Sequence, residues 1–216
     1  MTIPWRIKCF VSDNMPVAYY LLANLFRRQN SDTSWDQALA ASWDAPNRQW
    51  PNRCTEIMSL TDRKDEILDV GCGTGSILRT LLDNGYENLH GVEHSRYAVE
   101  MLTERGIKMQ QGKLPGIPYP ANMFDIVIAS EVLEHILFQS KFIEEMVRIV
   151  KPGGRVFIFV PNDCLGPIDE PSHVRKYSEQ SLTSLLSKFG EIIEIRTTTG
   201  SHFSASFLFA QLRKSA

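Results

Sequence analysis

The sequence predicts a doubly wound α/β fold, in which a mostly parallel sheet lies between two layers of helices. From Glu66 onward, short apolar segments alternate with amphipathic segments of helical periodicity. A glycine-rich loop follows the first apolar segment, and Val156–Val160 is apolar throughout, as expected of a strand buried on both faces. Repeated strand–helix units of this kind build one parallel sheet with helices on both sides.

The first 60 residues differ from the rest, and we predict that residues 1–60 form a helical lid or packing cap on a domain of residues 61–216. Asp13 and Asn14 can cap a helix that has Pro16 in its first turn and ends near Arg28. Further helices are predicted at Ser34–Trp43 and about Asn52–Leu60, and this segment contains three tryptophans besides Trp5: Trp35, Trp43 and Trp50.

Seven segments of residues 61–216 have the pattern of strands: Ile67–Val70, Leu89–Val92, Ile107–Gln110, Phe124–Ala129, Val156–Val160, Ile192–Thr197 and Ala205–Leu212. Ser95 and Ser178 cap two of the helices between them. The segment Lys151–Gly154 (Lys-Pro-Gly-Gly) stops another helix, because proline cannot continue it and glycine accepts the turn. A short loop with Gly200 separates the last two strands, which predicts an antiparallel hairpin.

Composition and charge narrow the class of protein. The formal net charge is −2, so a broad basic surface for nucleic acid is not expected. The four cysteines contain no CxxC pair, and the N-terminus lacks the layout of a signal peptide, so we expect a cytoplasmic protein. The longest apolar run, Val17–Phe26, is about half of the roughly 20 residues that a membrane span needs.

The strongest functional signal is the glycine loop after the first strand. Gly71, Gly73 and Gly75 follow the strand closely, and a backbone without side chains lets a ligand approach it. Glu93 lies at the end of the second strand, about 20 residues later, where a carboxylate can accept both hydroxyl groups of an adenosine ribose.

The loop distinguishes between two adenosine cofactors. A nicotinamide dinucleotide is bound by G-x-G-x-x-G, which holds a pyrophosphate at a helix N-terminus. Here the spacing is G-x-G-x-G, and Asp69 precedes the first glycine by two residues. A carboxylate there repels a pyrophosphate and suits the ammonium or sulfonium group of S-adenosylmethionine. The pattern therefore favours the cationic ligand.

At these residues the sequence resembles the class I S-adenosylmethionine-dependent methyltransferases, over roughly Glu66–Gly190. The ordered set of matching motifs comprises the glycine loop, Gly91–Ser95, Ile117–Tyr119 before Phe124-Asp125, Glu131–His135 and Lys151–Gly154. The resemblance implies a Rossmann-like sheet of seven strands with the last strand antiparallel. It implies a cofactor site made of Asp69, Gly71, Cys72, Gly73, Gly75, Glu93, His94, Gly112, Lys113, Leu114 and Ser130.

Within that site, the resemblance places Asp69 and the glycines around the methionine part, and Glu93 at the ribose. Gly112, Lys113 and Leu114 then flank the adenine. Relatives often have an aspartate where Lys113 stands, to accept a hydrogen bond from the adenine amino group. Lysine cannot accept one, so either the backbone near Leu114 reads the adenine alone or the adenine contact is weaker here.

The catalytic candidates follow the fourth strand. Glu131, Glu134 and His135 are spaced i, i+3 and i+4, so on a helix their side chains share one face. We assign His135 and Glu131, with His173 from a later loop, to the catalytic site as a general base or acceptor-positioning groups. The alternative is a purely structural glutamate–histidine pair.

A metal site is a further alternative at these residues. The run Glu131–His135 also resembles small-RNA 2′-O-methyltransferases and some quinone O-methyltransferases, in which two glutamates, the adjacent histidine and a later histidine bind a divalent cation. The later histidine would be His173, but its neighbours reproduce that pattern only in part. We therefore assign no residue to a metal from the sequence.

The resemblance implies an S-adenosylmethionine-dependent methyltransferase, and we expect a small-molecule acceptor with a reactive oxygen or nitrogen atom. Methyl transfer needs close and aligned partners rather than a nucleophile triad, in agreement with the sequence, where we find no such triad. The alternatives are a methyltransferase acting on protein or RNA, a non-catalytic S-adenosylmethionine-binding protein and, more remotely, a nicotinamide oxidoreductase.

Overall fold

The structure, a computed structural model, describes residues 5–24, 32–45, 50–162, 166, 170, 172–199 and 206–215. Its helices within these ranges are α1 (Trp5–Asn14), α2 (Pro16–Asn24), α3 (Asp32–Ala41), α4 (Pro51–Leu60), α5 (Ser76–Asp83), α6 (Arg96–Glu104), α7 (Gln139–Ile149) and α8 (Glu179–Leu186). Its strands are β1 (Ile67–Val70), β2 (Leu89–Glu93), β3 (Lys108–Gln111), β4 (Phe124–Ser130), β5 (Val150–Pro161), β6 (Glu191–Thr199) and β7 (Ser206–Arg213).

The strands form one seven-stranded sheet in the order β3-β2-β1-β4-β5-β7-β6. The neighbours from β3 to β5 pair in parallel, whereas β7 lies antiparallel between β5 and β6. The predicted doubly wound sheet with an antiparallel last strand is therefore confirmed. The predicted loop around Gly200 lies outside the described residues. The strand order changes direction between β1 and β4, which is where ligands bind in such sheets.

Alternate residues of the central strands enter two separate cores, one on each face of the sheet. Leu68, Val127 and Ile158 pack toward α7 and α8, whereas Ile128 and Phe157 pack toward α4, α5 and α6. The two-residue period of a strand produces this division. Both faces are thus covered, which explains the uninterrupted apolar character of the central strands.

The N-terminal helices differ from the prediction. Asp13 and Asn14 do not cap the helix after them, because they are the last residues of α1, which the sequence analysis missed. The Asn14 side-chain amide instead donates to the Phe10 carbonyl at 2.8 Å, and α2 begins at Pro16. The predicted end near Arg28 lies outside the described residues. None of the described helices is long and apolar enough to span a bilayer.

The Lys-Pro-Gly-Gly segment stops α7 as predicted, but it belongs to a strand. β4 pairs with β5 through Phe124–Val150 and then through Ile126–Arg155, so Lys151–Gly154 is a bulge in the ladder. Gly153 has φ of +75°, which glycine adopts readily. The bulge lets the chain turn from the helix directly into the sheet.

Helix α7 offers a matched test of how much this packing contributes. Phe142 is fully buried in the core, whereas Phe138, which precedes the helix by one residue, is 66% exposed. We expect Phe142→Ala to lower the free energy of unfolding by about 3–5 kcal/mol through lost burial and the cavity left behind. Phe138→Ala is the control and should cost less than about 1 kcal/mol. Urea denaturation measures both, and equal losses would contradict the assigned packing.

Candidate functional site

The glycine loop after β1 is open to a ligand because its backbone is bent in ways that side chains resist. Gly71, Gly73 and Gly75 have φ of +70°, +55° and +68°. A Cβ atom on Gly75 would lie 2.4 Å from a methyl carbon of Leu102, and one on Gly71 would lie 2.9 Å from Val132. The loop therefore requires glycine for conformation and for space.

Glu93 is held beside this loop by backbone donors. The Gly73 N–H donates to one oxygen of its carboxylate at 2.9 Å, and the N–H groups of His94 and Ser95 donate to the other at 2.7 and 2.9 Å. The side chain is buried, with 8% of its surface exposed. Three N–H donors fix its orientation at the end of β2, beside the glycine loop.

Asp69 is a buried carboxylate with an oxygen that lacks a partner. Only 2% of the residue is exposed, and no hydrogen bond reaches its Oδ1 atom. Burial, and then the charge of Glu93, raise the pKa of Asp69 to about 7, against an opposing effect of Arg53. Buried polar atoms are normally paired, so an unpaired carboxylate at the mouth of the sheet suits a cationic ligand group. This fits the ammonium group of the cofactor predicted from the sequence.

Two of the residues predicted to flank the adenine, Gly112 and Leu114, lie near Glu93 and Gly71. The Gly112 N–H donates to the Glu93 carbonyl at 3.0 Å, and Leu114 lies close to Gly71. Lys113 is exposed, whereas Cys72 and His94 are half-buried. Burial, and then Asp69, raise the pKa of the Cys72 thiol well above its ordinary value. Gly112 and Leu114 thus lie beside Glu93 and the glycine loop, whereas the side chain of Lys113 is exposed.

The predicted shared helical face of Glu131, Glu134 and His135 is wrong. β4 ends at Ser130, Glu131 takes a left-handed conformation with φ of +59°, and only Leu133–His135 form a turn of 3₁₀-helix. Glu134 consequently points into the protein and is 1% exposed, whereas the Glu131 side chain is 27% exposed. The left-handed residue rotates the two carboxylates away from a common face.

Arg53 of α4 is a site residue that the sequence analysis missed. Its guanidinium donates to the Ser130 hydroxyl and, at 3.3 Å, to Glu131 Oε1. It lies among three aromatic rings at 4.2–4.9 Å, those of Trp50, Phe159 and Phe207. Burial lowers the pKa of Arg53, and Glu131 and Glu134 oppose that shift. The spacing of Trp50 and Arg53, one helical turn apart, was the available sequence signal.

The loop of residues 172–177 is bonded to the 3₁₀ turn and brings His173 to His135. The Val174 N–H donates to the Glu134 carbonyl at 2.7 Å, and Arg175 donates to the Leu137 carbonyl at 3.1 Å. The rings of His135 and His173 meet edge to face, with their centres 4.6 Å apart. The two histidines assigned from the sequence are therefore neighbours.

The N-terminal segment contacts the glycine loop mainly through α3. Asp36 accepts hydrogen bonds from the Ser95 hydroxyl and the Tyr97 N–H, and Leu39 lies over Gly73. Trp43 is 7% exposed and packs edge to face on Tyr97. Trp43 thus belongs to the core, and the side chain of Trp35 lies outside the described residues.

Comparison with known proteins identifies the part of the chain that carries the glycine loop. The methyltransferase domain family matches residues 68–158. A probable S-adenosylmethionine-dependent methyltransferase of Mycolicibacterium smegmatis is 27% identical over 143 residues, which are 62% of this chain and 54% of that protein. The UbiE ubiquinone/menaquinone biosynthesis C-methyltransferase of Vibrio parahaemolyticus is 29% identical, over 72% of this chain and 65% of that protein.

A solved structure shares the fold at low sequence identity. The 1,6-didemethyltoxoflavin-N1-methyltransferase of Burkholderia thailandensis, with bound 1,6-didemethyltoxoflavin and S-adenosylhomocysteine, superposes with a TM-score of 0.68 and 15% identity. The superposition covers 92% of this chain and 89% of that one. Against the curated relatives, the chain spans about half of their length, from 46% to 54% for three of them.

The raised pKa of Asp69 predicts a specific dependence of stability on pH. The folded state retains the Asp69 proton up to about pH 7, whereas the unfolded state loses it near pH 3.8. The stability that this group contributes is therefore lost as the pH rises toward 7. The stability advantage of Asp69→Asn over the wild type should therefore grow by roughly 2–3 kcal/mol between pH 5 and pH 8.

Urea denaturation at both pH values measures this difference. The exposed Asp83→Asn at the end of α5 is the control and should change stability little at either pH. An advantage of Asp69→Asn that does not grow between the two pH values would show that the carboxylate is already well paired.

Proposed function

We propose, from the premise that this chain belongs to the class I S-adenosylmethionine-dependent methyltransferase family, that it transfers a methyl group to an oxygen or nitrogen atom of a small-molecule acceptor. The observation that carries the proposal is the pair of buried carboxylates beside the glycine loop. Asp69 has an unpaired oxygen for a cation, and Glu93 is oriented by three N–H groups.

The residues around the loop fit the parts of the cofactor. Asp69 would hold the ammonium group, Glu93 the ribose hydroxyls, and Gly112 and Leu114 the edge of the adenine. Gly71 and Gly75 are needed for the loop itself, because a Cβ atom there would collide with Val132 or Leu102. S-adenosylmethionine supplies a methyl group activated by its positive sulfur, and the acceptor lone pair forms the new bond as the carbon–sulfur bond breaks toward sulfur.

The end of β4 is the proposed acceptor side. Ser130 and Glu131 are bonded there to Arg53, and His135 on the 3₁₀ turn meets His173 of the loop of residues 172–177. We propose that Glu131, His135 and His173 position the acceptor. Holding two reactants aligned and excluding water lowers the barrier by up to about 7–11 kcal/mol, so alignment is the main contribution expected of these residues.

A compact acceptor suits the enclosure of this region. Arg53 and His173 are 5% and 6% exposed, so these side chains do not form an open surface suited to a macromolecule. The net charge of −2 gives no general attraction for nucleic acid. A small molecule is also named in the Burkholderia thailandensis structure. These points favour a metabolite over protein or RNA.

The N-terminal segment and the location of the protein complete the proposal. α3 is proposed to cover the cofactor, because Leu39 lies over Gly73 and Asp36 accepts a hydrogen bond from Ser95, the residue after His94.

The described cysteines Cys9, Cys54 and Cys72 are free thiols, which favours a reducing compartment such as the cytoplasm.

Calorimetry of cofactor binding tests the donor half of the proposal. The protein should bind S-adenosylmethionine and S-adenosylhomocysteine, and Glu93→Ala should weaken both by about 100-fold, because two hydrogen bonds to a charged group are lost. Glu100→Ala, at an exposed position of the adjacent helix α6, should leave both affinities unchanged. Glu93→Gln serves as a second variant that preserves the side-chain volume.

Two results would contradict the donor assignment. Binding that is unaffected in both Glu93 variants would remove the ribose role of this residue. Absence of cofactor binding to a wild-type protein that unfolds cooperatively would remove the donor itself.

Transfer of a labelled methyl group tests the acceptor half. The protein is incubated with methyl-labelled S-adenosylmethionine and a cell extract, which is afterwards separated by size into small molecules, RNA and protein. We expect label in the small-molecule fraction. Label in RNA or protein would favour a macromolecular acceptor. Tight cofactor binding without transfer to any fraction would favour a non-catalytic binding protein, because the fold alone does not fix the activity.

A further inference from the structure

We propose that two copies of this chain associate through strand β6, aligned antiparallel about a two-fold axis at Ile195. The two seven-stranded sheets then become one continuous sheet. This inference goes beyond the proposed function and does not rest on it. β6 lies at the edge of the sheet, and β5 and β7 separate it from β1 and β4, whose ends form the candidate site.

β6 is a long edge strand with one side open. It comprises Glu191–Thr199 and pairs with β7 on one side, whereas no described strand pairs with its other side. Among the described residues, no backbone hydrogen bond joins β6 to any part of the chain other than β7. A row of unpaired N–H and C=O groups is a template for another strand. The open side of β6 is therefore suited to a partner in extended conformation.

The opposite edge of the sheet is protected against such pairing in ways that β6 is not. β3 has only four residues, Lys108–Gln111, and begins with an exposed lysine. Short strands and edge lysines prevent pairing between molecules. β6 has nine residues, includes neither lysine nor proline, and is rich in isoleucine and threonine, which favour strands. Its one protective feature of this kind is a bulge between Ile192 and Glu194.

Charge complementarity between two copies selects one antiparallel register. Glu194 and Arg196 extend from the same face of β6, since they are two residues apart and their side chains form an ion pair at 2.8 Å. With the axis at Ile195, Glu194 of each copy lies opposite Arg196 of the other. An axis at Glu194 or at Arg196 instead places like charges opposite each other, which destabilises a strand pair.

The two charged side chains are accessible to a second copy. The exposed fraction is 40% for the Glu194 side chain and 41% for that of Arg196. Arg196 also forms an ion pair with Glu56 of α4, and its guanidinium lies 5.2 Å from the centre of the Phe209 ring. A guanidinium that is already held in place loses less conformational freedom when it forms a further ion pair. The contacts within each chain thus prepare Arg196 for the contact between chains.

Apolar and β-branched side chains fill the rest of this register. Ile193 is apolar, yet 38% of the residue is exposed. The register places it opposite Thr197 of the second copy, which is also exposed, and brings the two Ile195 residues together. β-branched side chains pack well against one another across neighbouring strands. The bulge ends the regular ladder before Ile192, so the pairing extends over residues 193–197 of both copies.

Sedimentation velocity of the full chain over a range of concentrations tests the dimer. A ladder this short gives an interface at the low end of the size range, so we expect a dissociation constant of about 10–100 µM. Glu194→Arg should raise this constant at least about 10-fold, because it places arginine opposite arginine twice. Arg196→Glu should do the same with glutamates. Lys108→Glu, on the edge strand β3, is the matched control and should dimerise like the wild type.

Mixing the two β6 variants tests the register itself. In a mixed dimer, each arginine of the Glu194→Arg copy lies opposite a glutamate of the Arg196→Glu copy. The mixture should therefore dimerise with an affinity within about 3-fold of the wild type, although each variant alone is weakened. Recovery on mixing also shows that both variants are folded, because a misfolded chain would not restore the dimer.

Several results would overturn the inference. A wild type that is monomeric up to about 300 µM removes the dimer, since that concentration exceeds the expected dissociation constant. Dimerisation that both β6 variants retain shows that the contact lies elsewhere. A mixture of folded variants that stays monomeric removes the register, and cooperative unfolding in urea shows that each variant is folded.

Hydrogen exchange of the wild type decides the matter if a variant does not fold. The amides of β6 should exchange more slowly at about 300 µM than at about 1 µM, because the dimer is populated only at the higher concentration. The amides of β3 should exchange equally at both. Exchange from β6 that does not depend on concentration would remove the dimer without the use of any variant.

Discussion

The arrangement of the site depends on one electrostatic constraint, the burial of carboxylates at the mouth of the sheet with too few cations to neutralise them. Asp69 and Glu134 each have oxygens without a hydrogen-bond partner, and burial raises the pKa of both. Such groups cost stability in the ligand-free protein. In the proposed function, a cationic ligand would relieve part of this cost at Asp69.

Arg53 interacts with both the carboxylate of Asp69 on β1 and that of Glu131 after β4. It is the buried cation that the carboxylates share, since it opposes the raised pKa of Asp69 and is bonded to Glu131. One guanidinium cannot pair with every carboxylate around it. In the proposed function, the unpaired Asp69 carboxylate would pair with the ammonium group of the donor. Helix α4, which carries Arg53, therefore contributes to the site at the strand ends although it precedes β1 in the chain.

The backbone conformations after β1 and β4 decide where the side chains of the site are placed. The bend at Gly71–Gly75 depends on glycines with positive φ, and Glu131 takes a left-handed conformation although it is not glycine. The result is a division between an exposed carboxylate paired with arginine and a buried one beside two histidines. A regular helix after β4 would have placed both carboxylates on one face.

The sequence by itself determined the alternation of strands and helices, the seven-stranded sheet and the glycine loop with Glu93. These depend on periodicity and on glycine conformation, which are local properties of the chain. It did not show that Asp13 and Asn14 end a helix, that Lys151–Gly154 forms a bulge, or that Arg53 reaches Ser130 across 77 positions. The tertiary structure alone decided which polar groups are buried without partners and that His173 meets Glu134, because burial and long-range contact depend on how distant elements pack.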